Sequence, residues 1–163
     1  IAFYEVFSWF GLKQSYYLCE QVDYDLDFRV LIHDLEYPNR VEIIKQLTAF
    51  TFKLHEHNVN FLDHSPGNTL IVKTLTDQYD FYLIDLNRMR FESMSLKKRM
   101  HNFRRLWISK TMIEIMSKEY AALSNIEIQV IKNLMLHYSL QFQKQVNAKK
   151  LRRSGRKMKF KTT

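Results

Sequence analysis

The apolar residues change their spacing along the chain, and the first two pairs of apolar runs predict strands. Residues 1–10 are rich in aromatic and β-branched types, Gly11 follows, and a second apolar run ends at Cys19. This pattern is typical of a β-hairpin. Apolar runs at 69–72 and 79–85 lie on either side of a polar turn and predict a second hairpin.

The remaining apolar positions recur at the spacing of a helix. The predicted helices cover residues 27–35, 39–57, 96–118 and 125–146. Asn39 followed by Glu42 fits an N-terminal capping pattern, and a break is expected near Trp107. Ser124 to Glu127 matches a capping box before the last helix. Two hairpins among several helices predict an α+β fold that is mainly helical.

The composition narrows the class of protein. The chain has 163 residues, of which 46% are hydrophobic, so a globular core is expected. Its single cysteine excludes an internal disulfide scaffold. No apolar run approaches the roughly 18 to 20 residues of a membrane span, and no signal peptide is visible. Three glycines exclude a glycine-rich phosphate loop within these residues, and a first residue of Ile1 suggests a fragment or a processed chain.

The net charge of +8 is concentrated at one end of the sequence. Residues 144–163 contain nine basic and no acidic residues, and without them the net charge is −1. The simplest interpretation is a solvated, disordered terminus. Such a segment also suits binding to anionic lipid or nonspecific binding to nucleic acid.

One segment carries a pattern that suits phosphoryl transfer. Asp63 is followed after four residues by Asn68, then by the second predicted hairpin, and then by Asp85 at the end of an apolar run. In phosphoryl transfer one carboxylate orients the attacking hydroxyl, while an amide oxygen and a second carboxylate hold Mg²⁺. Asp63 and Asn68 by themselves are more typical of a turn, but their occurrence together with Asp85 favours a kinase site.

These motifs resemble those of a known family. Residues 63–68 resemble the catalytic loop of protein-kinase-like enzymes, and 85–87 resemble their Asp-Phe-Gly element. The sequences of 63–68 and 83–90 are most similar to those of the bacterial lipopolysaccharide core kinases (Kdo/heptose kinases). This resemblance extends over roughly residues 1–110. The resemblance implies a kinase-like C-lobe preceded by the last N-lobe strands as a hairpin. The implied division is 1–22 for the N-lobe remnant and hinge, 23–146 for the C-lobe, and 147–163 for a basic, disordered tail.

The resemblance also implies roles for individual residues and two cofactors, ATP and Mg²⁺. Asp63 matches the catalytic base, and Asn68 and Asp85 match the Mg²⁺ ligands. The adenine ring would be contacted by the hinge backbone and by one apolar side chain beneath it. These adenine-contacting residues are Glu20, Gln21 and Val22 in the hinge, and Leu70.

The sequence departs from the kinase pattern in several places. Phe61 and Leu62 replace the His and Arg that precede the catalytic Asp, so regulation by activation-loop phosphorylation is not expected. Leu86 and Asn87 replace Phe and Gly, as in sugar-directed relatives, and no Ala-Pro-Glu follows. The glycine-rich loop and the ATP-binding Lys have no counterpart, and we expect them upstream of Ile1.

Other polar residues keep more than one interpretation. Arg88 and Arg90 suit either phosphate contacts or a solvated strand end. Five basic residues within 97–105 suit either an anionic glycolipid or a solvated helix face, and the solvated face is favoured. The consecutive residues 63–65 cannot form a Ser-His-Asp triad, because neighbouring side chains point apart.

The expected activity of the full-length parent is transfer of the γ-phosphate of ATP to a sugar hydroxyl of lipopolysaccharide core or a lipid A precursor. The expected location is the cytoplasm, with peripheral binding to the inner membrane through the basic tail, and no specific nucleic acid is expected. By itself the 163-residue chain should transfer phosphate poorly. Three alternatives remain: a kinase-like enzyme acting on other small molecules or proteins, a noncatalytic binding module, and nucleic-acid binding through the tail.

Overall fold

The computed structural model describes the backbone of residues 2–159 and the side chains of residues 2–154. Seven strands and five helices follow one another along this part of the chain. The strands are β1 Ala2–Ser8, β2 Gly11–Leu18, β3 Leu26–Asp27, β4 Val59–Phe61, β5 Thr69–Leu75, β6 Gln78–Leu83 and β7 Met89–Phe91. The helices are α1 Phe28–His33, α2 Arg40–Glu56, α3 Leu96–Asn102, α4 Lys110–Ser124 and α5 Ile128–Lys159. Short 3-10 turns cover Pro66–Asn68, Leu86–Arg88 and Phe103–Leu106.

The strands form three small antiparallel sheets, and both predicted hairpins are confirmed. β1 pairs with β2, closing at Ser8 opposite Gly11, whose φ of 117° lies in the left-handed region that glycine tolerates. β5 pairs with both β3 and β6, while β4 pairs with β7. With five helices around these sheets, the predicted α+β fold, mainly helical, is confirmed.

The core lies between the helices and the β3-β5-β6 sheet. On α2, the first three residues of the predicted stripe, Ile43, Ile44 and Leu47, are fully buried, while Phe50 and Leu54 are half-buried. The three buried side chains belong to one cluster with Met116 of α4 and Met135 of α5. Burying each such side chain contributes about 1.5–3 kcal/mol, so this apolar stripe fixes the helices that support the loops at β4 and β5.

The β1-β2 hairpin contrasts with this core, because its large apolar side chains are exposed. Trp9 and Phe10 at its tip are fully exposed, and Phe3 and Tyr17 are more than half exposed. Within the described residues, neither strand pairs with a third strand. Apolar surface of this extent is typical of a region that packs against another segment or chain.

The predicted capping box at Ser124–Glu127 is wrong. Ser124 is the last residue of α4, and Asn125 caps that helix with a φ of 55°. Asparagine adopts the left-handed conformation more readily than most residues, and this conformation ends helices. The chain therefore turns at Asn125, and α5 begins at Ile128, where Glu127 O accepts from Val130 N at 3.1 Å.

The predicted end of the last helix is also wrong. α5 does not stop near Val146 but continues to Lys159, so residues 147–159 are helical. Ala, Leu, Lys and Arg dominate this segment, and all are strong helix formers. Residues 160–163 of the predicted tail lie outside the described residues.

The predicted cap at Asn39 does not form either, although α2 begins next to it, at Arg40. Asn39 makes no capping hydrogen bond and has a φ of 57°. Its side-chain amide instead donates to Asp77 in the turn between β5 and β6. α1 is capped at the residue where its predicted span begins: Asp27 accepts from Arg29 N at 2.8 Å.

Candidate active site

The loop that carries Asp63 is held between two strands from different parts of the chain. β4 ends at Phe61 and pairs with β7, and the next residue, Leu62, donates its backbone N–H to Arg88 O at 3.1 Å. The loop ends in the 3-10 turn Pro66–Asn68 and leads directly into β5. Both ends of the loop are therefore fixed by strands.

Within this loop the structure brings Asn68 against Asp63. The Asn68 side-chain Nδ2 donates to the Asp63 backbone oxygen at 3.0 Å. The amide nitrogen of Asn68 is thus engaged, and no described protein group donates to its Oδ1. An oxygen held in this way is free to accept a ligand.

The third residue of the motif, Asp85, lies at the same end of the β5-β6 hairpin. Thr69 is paired with Leu83, and Ile84 N donates to Asn68 O at 3.1 Å. This bond brings the Asp85 backbone next to that of Asn68. Asp63, Asn68 and Asp85, which span 22 positions in the sequence, therefore lie together at this end of the β5-β6 hairpin.

Asp85 has an unusual backbone conformation, with φ 56° and ψ 58°. Non-glycine residues rarely adopt the left-handed region, and such conformations cluster at functional sites. Its Oδ1 accepts from Asn87 Nδ2 at 2.9 Å, while no described group donates to Oδ2. Asp85 thus offers one carboxylate oxygen in an exposed position.

The carboxylate of Asp63 has a partner that the sequence did not predict. Arg105 Nη2 lies 2.9 Å from Asp63 Oδ1, and the two side chains are only 28% and 19% exposed. Arg105 belongs to the 3-10 turn after α3 and lies over the Phe142 ring at 5.9 Å. No local motif links residues so far apart in sequence, so only the fold reveals this pair.

A second missed residue is Asn102, the last residue of α3, which joins the loop to the helical core. Its Nδ2 donates to Asn60 Oδ1 at 3.0 Å and to Phe61 O at 2.8 Å. Its Oδ1 lies 3.1 Å from His64 Nδ1 and 3.4 Å from His55 Nε2. One buried amide therefore ties α2, β4 and the residue after Asp63 together.

Burial and hydrogen bonding determine the protonation and the tautomer of both histidines. Burial lowers the pKa of His55 to about 3 and that of His64 to about 4. Both rings are therefore neutral near pH 7, and each donates an N–H to the shared Asn102 oxygen. The other nitrogen of His55 then accepts from the Tyr120 hydroxyl at 3.0 Å.

The residues predicted to contact adenine lie on two neighbouring segments. Glu20 is exposed and Val22 half-buried in the extended segment between β2 and β3, while Leu70 on β5 is 8% exposed. β3 pairs with β5 so that Asp27 lies opposite Leu70. The end of the predicted hinge segment is thus anchored beside the strand that carries Leu70.

Besides Arg105, two of the basic residues in 97–105 have acidic partners on neighbouring elements. Lys98 Nζ lies 3.0 Å from Glu92, and Arg99 pairs with Glu56. These two are ion pairs at the surface and are not free for a ligand. Among the described residues, no helix is both long enough and apolar enough to cross a bilayer.

The free oxygens of Asn68 and Asp85 fit the preference of Mg²⁺ for oxygen ligands. Within the described part of the chain, no three His, Cys, Asp or Glu side chains gather as a metal site. A Mg²⁺ ion here would therefore take its remaining ligands from nucleotide phosphates and water, as is usual for this ion.

A comparison with known families agrees with the motifs and the fold. Residues 1–126 match the Lipopolysaccharide kinase (Kdo/WaaP) family. Because the match covers most of the chain, the protein belongs to this family, and the resemblance seen in the sequence is confirmed. The fold is thus a kinase-like α+β fold with an N-terminal β-hairpin, and the activity of the family is that of a lipopolysaccharide kinase. No curated protein matches the chain.

Proposed function

We propose that this chain forms the catalytic part of a kinase that transfers the γ-phosphate of ATP to a sugar hydroxyl of lipopolysaccharide core or a lipid A precursor. The observation that carries the proposal is the gathering of Asp63, Asn68 and Asp85 at one end of the β5-β6 hairpin. Membership of the lipopolysaccharide kinase family supports the acceptor class.

In this proposal each of the three residues has one task. The Asp63 carboxylate orients the acceptor hydroxyl and accepts its proton as the oxygen attacks phosphorus. Asn68 and Asp85 would hold Mg²⁺ with their free oxygens, and a bound ion would supply charge neutralisation at the phosphates. Asn102 donates to Phe61 O and accepts from His64 Nδ1, so it holds the loop on both sides of Asp63, which is the contribution of positioning.

The nucleotide would lie between the hinge segment and β5, with Glu20 and Val22 contacting adenine and Leu70 beneath it. The exposed apolar face of the β1-β2 hairpin supports a partner lobe there, because a two-stranded hairpin is marginal by itself. The 163 residues contain only three glycines and no glycine-rich loop. We therefore expect these residues by themselves to transfer phosphate slowly, and the full product of the gene to be active.

We also place the enzyme in the cytoplasm, at the surface of the inner membrane. The supporting observation is the basic end of α5, where Lys149, Lys150, Arg152 and Arg153 are exposed. Each basic residue near an anionic lipid surface contributes about 1 kcal/mol to binding. The fraction of protein that sediments with anionic vesicles should therefore fall when these four residues are changed to glutamine. Unchanged sedimentation would show that these residues do not bind the membrane.

A panel of acceptors tests the reaction. The full gene product is incubated with labelled ATP, Mg²⁺ and either lipopolysaccharide core, small sugars or a protein mixture. Label on core sugar supports the proposal, whereas label on protein alone supports a protein kinase. Mg²⁺-ATP binding is measured in parallel for Asp85→Ala and for Asp80→Asn, an exposed residue of β6. Binding that is absent, or indifferent to Asp85→Ala, would indicate a noncatalytic module.

A further inference from the structure

Three arginines from two segments lie around the loop that carries the proposed base. Arg104 and Arg105 belong to the 3-10 turn after α3, and Arg105 binds Asp63 at 2.9 Å. Arg88 belongs to the 3-10 turn after Asp85, and its carbonyl accepts from the residue just before Asp63 at 3.1 Å. The fold thus places the Arg105 guanidinium on the proposed base and puts Arg88 and Arg104 on the segments that adjoin it.

The positive charge of this group is not balanced by protein carboxylates. Within the described residues, Asp63 is the only carboxylate within 4 Å of any of the three guanidinium groups. Arg104 donates instead to the His101 backbone oxygen at 2.8 Å. Burial lowers the pKa of Arg104, and the neighbouring charges of Arg105 and Arg88 lower it further. Within the described residues no carboxylate forms an ion pair with Arg88 or Arg104, so the positive charge beside Asp63 favours an anion.

We propose that Arg88, Arg104 and Arg105 form a subsite for an anionic group, a phosphate or a carboxylate, carried by the acceptor beside the hydroxyl that is phosphorylated. Guanidinium groups suit such anions because their fixed donors match the oxygens of phosphate and carboxylate. This inference rests on the proposed function, since it assigns the acceptor side of the same site.

The contacts of Asp63 place this subsite on the acceptor side rather than the nucleotide side. The backbone oxygen of Asp63 contacts Asn68, one of the proposed metal ligands. Its carboxylate, which must face the acceptor hydroxyl, contacts Arg105 instead. An acceptor anion that pairs with Arg105 would release the Asp63 carboxylate to take up the hydroxyl proton.

Binding of inorganic phosphate tests the subsite without requiring catalysis. The reporter is the indole N–H signal of Trp107, which is two residues from Arg105 and whose ring lies 5.6 Å from that of Phe142. This signal is assigned by its loss in Trp107→Phe. Phosphate is titrated into the full chain, and we expect a saturable shift of the Trp107 signal at millimolar phosphate.

Variants distinguish phosphate binding at these arginines from nonspecific attraction of phosphate to a basic protein. Arg104→Gln and Arg105→Gln should each weaken phosphate binding about tenfold, the usual effect of losing one charge-assisted hydrogen bond. Lys118→Gln, which removes an exposed positive charge on α4, is the control and should change binding less than twofold. Asp63→Asn should tighten binding, because it removes the carboxylate that competes for Arg105. Phosphate binding that is absent, or equally affected by Lys118→Gln, would overturn the subsite.

A nucleotide arm and a transfer arm complete the test. Phosphate should bind equally well with a saturating nonhydrolysable ATP analogue and Mg²⁺, and displacement by the analogue would assign the arginines to the donor phosphates and overturn the inference. In transfer assays Arg104→Gln should raise KM for lipopolysaccharide more than it lowers kcat. Arginine-dependent phosphate binding without any transfer would refute the proposed function alone. Asp63-dependent transfer without such binding would refute the subsite alone.

Discussion

Replacing Asn102 by alanine should destabilise the protein strongly, although Asn102 contacts no proposed ligand. The side chain is 4% exposed and connects three elements. It donates to Asn60 Oδ1 and to Phe61 O, and it accepts from His64 Nδ1. Alanine would leave Asn60 Oδ1 and His64 Nδ1 without a partner in the interior, whereas Phe61 O would keep its bond from His64 N at 3.2 Å.

The magnitude follows from the number of groups that lose a partner. A buried polar group without a hydrogen bond costs about 1–3 kcal/mol. Two such groups at the lower limit give a loss of about 2 kcal/mol, and the contact of Asn102 with His55 at 3.4 Å is too long to add much. A loss of this size is a large fraction of the usual stability of a domain.

Urea unfolding, followed by circular dichroism at neutral pH, measures this loss. Asn133→Ala is the matched control, because Asn133 is exposed on α5 and contacts only Gln129 at 2.7 Å. We expect the control to change the free energy of unfolding by less than about 0.5 kcal/mol. An Asn102→Ala variant that loses less than about 1 kcal/mol would show that the hydrogen bonds of this amide do not hold the loop.

Two further predictions concern pH and helix capping. The folded-state pKa values of His55 and His64, about 3 and about 4, lie below the ordinary 6.5. The unfolded chain therefore binds more protons, and stability should fall below pH 6.5 by up to about 1.4 kcal/mol per pH unit per histidine. A flat urea midpoint from pH 7 to 5 would contradict this. Ser109→Ala removes the acceptor of Met112 N at 3.3 Å, and thermal unfolding should report a loss of about 1 kcal/mol. An unchanged Tm would refute the role of this cap.

The site residues that could be predicted from the sequence are those that form a recognisable motif with residues nearby in the chain. Asp63 and Asn68 share one loop, and Asp85 ends the next apolar run, so spacing alone identifies them. Asn102 contacts Phe61 at the start of this loop from 41 positions away, and Arg105 contacts Asp63 from 42 positions away. Nothing in their own segment distinguishes them, because a polar residue on a helix face has the same pattern whether it is solvated or buried against another element.

The errors in the predicted elements have a similar origin. Ser124–Glu127 satisfies the composition of a capping box, but the competing left-handed conformation at Asn125 ends the preceding helix there. The last helix is predicted to end near Val146, before most of the basic residues, whereas the helix propensity of Ala, Leu, Lys and Arg allows α5 to continue to Lys159. In both cases two local preferences conflict, and the sequence pattern does not show which is stronger.

The most direct test of the account is the rate of phosphate transfer from Mg²⁺-ATP to lipopolysaccharide core by the full gene product and its Asp63→Asn variant. Loss of a general base lowers rates about 10²–10⁴-fold, and we expect a fall of that size with ATP binding retained. Asp80→Asn, an exposed carboxylate on β6, should stay within about twofold of the unmodified protein. Transfer by Asp63→Asn at the unmodified rate would contradict the assignment of Asp63 as the base.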